Sequence, residues 1–389
     1  MKFTVSSAEF SERLQQVLHV MSSKPITPVF NFVKFDLYGD NLSLTGSDGD
    51  ITLTASMKVD EPEGEGSFLI LGSQISFLSK FGNQPLVFTI DDRSYSLEIK
   101  SSAGKYNYIG QSASEYPAAR SLSEDSRELN LPADVVMEGI AKTAFAASND
   151  ELRPIMISVC VDVTPEGLYF VATDAHKLAM VKYNNLGSED AKRLVWPSRS
   201  VSALKNFLAK DKGELNIKFD SSSIYFKSAN YLLVSRLVEG NYPNYKAVIP
   251  REMPISVFVN ADVLRVALTR VASCSSATNL VRMSITPNNI HLLSQDLDYS
   301  VSGEENVECT LNGIDSIELG LRSDLMLAIL GAISPVTEVE LKLIDKKMYD
   351  KFIELQKMGI GELSEKEAKI MFERYQDILV EQFSEINKN

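Results

Sequence analysis

Apolar and polar positions along the chain fall into one pattern three times. The segments LILGSQISFLSKF (69–81), RLVWPSRSVSALKNF (193–207) and ELGLRSDLMLAIL (318–330) each read as a short apolar strand, a polar helix start and a helical apolar stripe. Aligning them on Ser73, Ser198 and Ser323 gives two equal steps of 125 residues. A fixed period of this kind points to a repeated module, not to a single catalytic cleft.

The openings of the modules overlay as well. In FTVSSAEFSERLQQVL, LNLPADVVMEGIAKTA and VFVNADVLRVALTRVA, Val5, Leu131 and Val259 coincide. Phe10, Val136 and Leu264 then fall together, as do Leu14, Ile140 and Leu268. Apolar residues at i and i+4 predict a strand that runs into an amphipathic helix, with Ser7 and Asn260 as N-caps. Alternating hairpins follow: NLSLTGSDGDITL, GLYFVATDAHKLAMV and NIHLLSQDLDYSVSG. Asp48, Asp174 and Asp296 occupy the same place in their turns, where their carboxylates are expected to accept backbone N–H bonds. A further strand is expected at 87–90, 216–219 and 340–343. Each module is therefore an α+β unit with helices on one face of an antiparallel sheet. The expected divisions are 1–120, 128–250 and 254–345, with linkers near 110–127 and 242–254.

Composition narrows the class. Apolar residues make up 44% of 389, enough for several cores. No apolar run approaches membrane-spanning length, and MKFTVSSAEF lacks the basic-then-apolar order of a signal peptide. Three scattered cysteines, Cys160, Cys274 and Cys309, suit a reducing compartment, so a cytoplasmic location is expected. The SDGD run at 47–50 has acid spacing that calcium loops use but lacks the later ligands, so it reads as a turn. No phosphate-binding glycine loop, CxxC or HExxH is present, so no enzyme, metal or cofactor is expected. His19 and His291 read as structural.

A net charge of −13 argues at first against a nucleic-acid partner. The acids cluster in DEPEGEGS, SEDSRE and GEENVE, however, while the repeated helices carry Arg13, Lys80, Lys142, Arg199, Lys205, Lys210, Arg265, Arg270 and Arg322. If those helices shared one space, it would be locally positive inside an acidic shell. For any single residue, a solvated helix face is the plainer reading.

MKFTV, LQQV, the Lys24-Pro25 step before Pro28, VATDAHKLAMV and EGNYPNYKAVIP together resemble the bacterial DNA polymerase sliding clamps, the beta subunit of the replicase. The resemblance covers about residues 1–345. It implies three clamp domains per chain and a head-to-tail homodimer. Sheets would lie outside, and helices would line a central hole that encircles double-stranded DNA without reading its sequence. It implies a non-catalytic processivity factor that tethers the replicative polymerase and is loaded by an ATPase. Lys24 and the loop from Asn149 to Arg153 are implied to touch DNA; Lys80, Arg199, Lys205, Arg265 and Arg270 would line the hole. A pocket for short peptide motifs of DNA polymerase and clamp-loader subunits is implied at Met156, Thr173, Ala175, His176, Lys177, Leu178, Pro243 and Val248. Ala175 stands where the family usually has glycine. The dimer interface would pair Lys105–Ile109 with a strand near 299–305, bringing Lys105 to Glu304 and Glu305, with Tyr108 and Cys274 as apolar contacts.

The third module departs from this pattern. After ELKLID the two further strands of modules one and two are replaced by a segment, 346–389, with helical spacing at Met348, Phe352 and Leu355. Three readings of it stay open: an appendage replacing the strands, joined foreign sequence, or a module that blocks the pocket. Two functional classes follow, a DNA-encircling clamp and a clamp-like chain that binds partner peptides without encircling DNA.

Overall fold

A computed structural model describes residues 1–250, 253–333 and 338–343. The helical expectation for 346–389 lies outside the described residues. Six α-helices are described: α1 (Ser7–Val20), α2 (Gly72–Ile75, continued as a 3-10 turn over Ser76–Lys80), α3 (Ala133–Thr143), α4 (Ser198–Leu208), α5 (Ala261–Ala272) and α6 (Ser323–Ile333). The chain divides into two compact units, Met1–Glu138 with Trp196–Glu239, and Gly139–Val195 with the chain from Gly240 on. The units therefore cut through the second sequence module.

The repeat is real at the level of burial. Val5, Leu131 and Val259 are buried at the strand ends, and Phe10, Val136, Leu264, Leu14, Ile140 and Leu268 are fully buried one and two helical turns later. Each of these side chains contributes about 1.5–3 kcal/mol through apolar burial. Asn260 caps α5 by accepting from the Val263 N–H at 3.0 Å, as expected. Ser7 does not cap α1. It is the first helical residue and is fully buried, and its hydroxyl donates to the Gly82 carbonyl at 2.7 Å while accepting from the Gln84 N–H. The second overlay holds at the helix starts: α4 opens at Ser198, α6 at Ser323, and α2 at Gly72, one residue before Ser73.

In the first unit, a five-stranded sheet runs in the order Asp60–Glu63, Lys2–Ser6, Pro85–Ile90, Ser96–Lys100, Lys105–Ile109. Against it α1 sets Phe10 beside Phe88 at 5.1 Å, and Phe88 stacks on Phe3 at 5.0 Å. A second sheet has nine strands. It is continuous because Ile51–Lys58 pairs antiparallel with Tyr231–Arg236, in the register Tyr231↔Ala55 to Ser235↔Ile51. Strands of modules one and two thus share one hydrogen-bonded sheet. The expected linker at 110–127 is not a loose connection. Gln111–Ser112 pairs with the Gly66–Leu71 strand, the Tyr116 ring meets Phe30 edge-on at 6.2 Å, and Ser123 N–H binds Asp220.

The second unit holds a four-stranded sheet and a six-stranded one. The latter ends on Glu338–Leu343, the last described strand, paired with Ile255–Asn260. The described part of the expected linker at 242–254 is likewise packed. Tyr242, Tyr245 and Val248 are buried, the last two in a 3-10 turn.

Candidate functional site

All three repeat aspartates build the same turn. Asp48 accepts from Asp50 and Ile51, Asp174 from His176 and Lys177, and Asp296 from Asp298 and Tyr299. A short carboxylate reaches N–H groups two and three residues on, and this pins the hairpin.

The pocket residues come from one such turn and from the packed linker. The strand Gly167–Thr173 ends at Thr173, whose hydroxyl donates to Lys177 O at 2.7 Å and accepts from Ala175 N–H at 3.1 Å. Ala175 sits at φ +73°, the left-handed region that glycine takes at little cost. His176, Lys177 and Leu178 are half-buried, as are Met156 and Pro243; Val248 is buried. Lys177 places its ammonium on Asp174. Burial pushes Asp174 up, but the Lys177 ammonium and the N–H groups of Lys177 and His176 outweigh it, and the carboxyl is held below its usual range.

Behind the wall lies a polar cluster that sequence reasoning missed. Tyr245 donates its hydroxyl to Asp162 Oδ2 at 2.8 Å, Arg193 donates to the same oxygen at 2.8 Å, and both Tyr245 and Asp162 are buried. Arg193 also lies over the Tyr245 ring at 5.8 Å. Burial, then the bond to Asp162, pushes the tyrosine hydroxyl pKa up, and burial pushes the neighbouring Cys160 thiol up to about 12. Tyr245 lies in the quoted EGNYPNYKAVIP segment, but Asp162 and Arg193 are 83 and 52 residues away from it in sequence, so no local signal pointed to their meeting.

The cations divide sharply. Lys24, Lys80 and Lys205 are exposed and form no ion pair with the described residues. Lys24 lies on the loop after α1, beside Ile26, which is fully exposed at 102%. Asn149 is exposed, and Arg153 is held by Asp150 at 2.8 Å on a loop whose Leu152 is 91% exposed. The remaining expected pore cations are engaged. Arg199 pairs with Asp48 and donates to Val20 O, Arg265 reaches Asp262 at 3.2 Å, and Arg270 grips Glu305 through two bonds of 2.6 Å. Arg13 is largely buried, donating to Tyr231 OH at 2.7 Å with its guanidinium over that ring. The cations expected to make a shared space locally positive are thus in part already paired within the chain. Arg199 and Arg270 are paired with acids that only the fold brings near, whereas Arg153 and Arg265 pair with acids three residues away along the chain.

Three family models of the DNA polymerase III beta subunit match in order: the N-terminal domain over residues 1–120, the central domain over 130–244 and the C-terminal domain over 246–350. A beta sliding clamp of Synechococcus elongatus is 31% identical over 322 residues, covering 80% of this chain and 85% of that protein. The chain belongs to the beta sliding clamp family. A Bacillus subtilis beta sliding clamp is 29% identical over 300 residues, 74% of this chain and 78% of that one. The crystal structure of a DNA polymerase sliding clamp from Bacillus subtilis superposes with a TM-score of 0.79 at 26% identity, covering 88% and 92% of the two chains. A Pseudomonas aeruginosa sliding clamp bound to griselimycin has a TM-score of 0.82 at 23% identity, covering 89% and 93%, and shows the shared fold.

In this clamp chain the two expected interface strands have free sides. Lys105–Ile109 is the last strand of its sheet, with Ile109 77% exposed and Tyr108 against Phe77 at 5.9 Å. The partner strand begins at Val301, so Tyr299 belongs to the turn before it. Along 301–308 it pairs with Asn289–Asp296 and with no other described strand. Cys274 sits against Gly303 on that strand. Within the chain the expected cross-pairing charges already have partners: Lys105 holds Glu98, Glu305 holds Arg270, and Glu304 meets His291 at 3.3 Å. Glu305 is held below its usual range chiefly by the bond from Arg270.

Proposed function

We propose that two copies of this chain join head to tail through Lys105–Ile109 and 301–308 and encircle duplex DNA as a non-catalytic processivity clamp. The observation that carries this reading is the ordered match of all three clamp domains along one chain. A closed ring holds DNA by topology, so strong phosphate binding is unnecessary and would slow sliding. A few unpaired cations, Lys24 foremost with Lys80 and Lys205, suffice for weak, sequence-blind attraction, and an acidic remainder repels DNA that is not threaded. The pocket of Thr173, Ala175, His176, Leu178, Pro243 and Val248 would take short apolar peptide motifs of polymerase and loader subunits. A clamp-like chain that binds peptides without encircling DNA is not favoured, because the relatives are named sliding clamps along their whole matched length.

Sedimentation velocity tests closure. The expected species has about twice the 43.1 kDa chain mass at micromolar concentration; a monomer at all concentrations refutes the ring. Lys24→Ala should lower the slope of log K against log salt on duplex DNA by about 0.9, one phosphate contact. Arg270→Ala should leave it unchanged.

A further inference from the structure

The loop that carries Lys24 is not a free tether. Its base is built at both ends. At the start, Met21 closes α1, its N–H bonding to Leu18 O, and its side chain is wedged between two glycines. A Cβ at Gly46 would lie 3.0 Å from the Met21 Cγ and Sδ and 2.7 Å from Val17 Cγ1. One at Gly72 would lie 3.3 Å from Met21 Cε and 3.0 Å from Leu18 Cδ2. At the far end, the 3-10 turn Pro28–Asn31 buries Phe30 against the Tyr116 ring. Between these anchors Lys24 and Ile26 project, with Lys24 N–H bonded to Ser22 Oγ at 3.2 Å.

The remaining anchor comes from a different sequence module. Arg199, in the first turn of α4, donates from one guanidinium nitrogen to Val20 O at 3.0 Å, an end carbonyl of α1 that has no helical partner. Its other terminal nitrogen holds the Asp48 carboxylate, which is almost fully buried. Asp48 in turn fixes the neighbouring hairpin through the N–H groups of Asp50 and Ile51. One planar fork therefore joins the α1 terminus and the Asp48 turn, and it is a cation placed at the negative end of a helix. Both terminal nitrogens thus hold partners within the chain, and the charge is offset by Asp48.

We propose that Arg199 is a positioning residue. It fixes where α1 ends and so where Lys24 is presented, and does not itself contact DNA. The DNA consequence rests on the reading of the chain as a DNA-encircling clamp; the effect on the loop does not.

Two measurements on the full chain separate these. Hydrogen exchange without DNA reads the loop directly. Arg199→Ala should speed exchange of the Met21 to Lys24 amides about tenfold while the Leu204 amide in α4 stays protected. Arg199→Lys should not restore protection, because an ammonium cannot reproduce the two-pronged geometry. Unchanged loop exchange in Arg199→Ala overturns the proposal, whatever DNA does. Binding to a short fluorescent primed duplex, followed by anisotropy over a salt series, reads the consequence. Lys24→Ala and Arg199→Ala should each weaken binding about threefold at moderate salt, and the double variant should be no weaker than Lys24→Ala alone. A double variant with multiplied losses and a salt slope lower by about 1.8 makes Arg199 a phosphate contact and also overturns the proposal. If Lys24→Ala binds like the unaltered chain, the DNA reading of this loop fails while the exchange result still judges the positioning role.

Discussion

Removing one oxygen from Tyr245 tests the cluster behind the peptide pocket. Tyr245→Phe keeps the ring, which packs near Tyr169 at 6.4 Å and under Arg193 at 5.8 Å, and deletes only the hydroxyl. That hydroxyl donates 2.8 Å to a carboxylate whose residue is 4% exposed. Hydrogen bonds to charged groups contribute about 1.5–3 kcal/mol. Arg193 still reaches the same oxygen at 2.8 Å, so the loss belongs in the lower half of that range, about 1.5–2 kcal/mol. Urea unfolding followed by far-ultraviolet circular dichroism, with tyrosine fluorescence as a second probe, measures it. Because both donors share one acceptor atom, Tyr245→Phe and Arg193→Ala should not add; the coupling should exceed about 0.5 kcal/mol. The 3-10 turn that holds Tyr245 also carries Val248, so affinity for an apolar clamp-binding peptide should fall with the stability. A stability loss under about 0.5 kcal/mol, or strict additivity with Arg193→Ala, refutes the claim that this bond anchors the pocket wall.

The turn beside the pocket allows two further tests. Ala175→Gly should stabilise the chain by about 1 kcal/mol, since the methyl is held at φ +73° where glycine is unstrained; a lower urea midpoint would contradict this. Asp174 is lowered in the folded state from its ordinary 3.8, so its stabilising effect is complete above that value and fades as pH falls through the folded value. The gap in stability between the unaltered chain and Asp174→Asn should therefore be constant from pH 7 to 5 and narrow below about pH 3.8; a gap that widens in acid would reverse the sign.

Much of the architecture was legible because it rests on local periodicity. The i, i+4 pairs Phe10 and Leu14, Val136 and Ile140, and Leu264 and Leu268 had to be buried wherever the helices went, and all six are. The three turn aspartates were equally local, since their partners lie two and three residues away. The Lys105–Ile109 strand, implied by the family resemblance and not by periodicity, runs over those residues. Failures came where a side chain had two local choices or a distant partner. Ser7 suits an N-cap, but the neighbouring 82–84 loop takes its hydroxyl. Serine-rich and proline-rich stretches at 110–127 and 242–254 read as linkers, yet Tyr242 and Tyr245 are buried and Tyr116 half-buried there, because an aromatic ring outweighs the local preference for solvent.

Charge was the least legible property. Arg199, Arg265 and Arg270 look alike in sequence to Lys205, each a cation on a repeated helix. Only folding brings Asp48 to Arg199 and Glu305 to Arg270, across 151 and 35 residues. The Arg265–Asp262 pair follows from i, i+3 spacing, but pairs between distant segments are set by distance in space, and no periodicity encodes them.

By itself, the sequence determined three α+β modules, their buried helix faces, their turn aspartates and membership of a clamp family. Those features follow from bonds and apolar contacts that repeat over a few residues. Tertiary structure alone decided which cations stay unpaired, which apparent linkers are packed, and that strands of modules one and two run on as one nine-stranded sheet. Such outcomes depend on which distant groups arrive within a few ångströms of each other, and chain order does not carry that information.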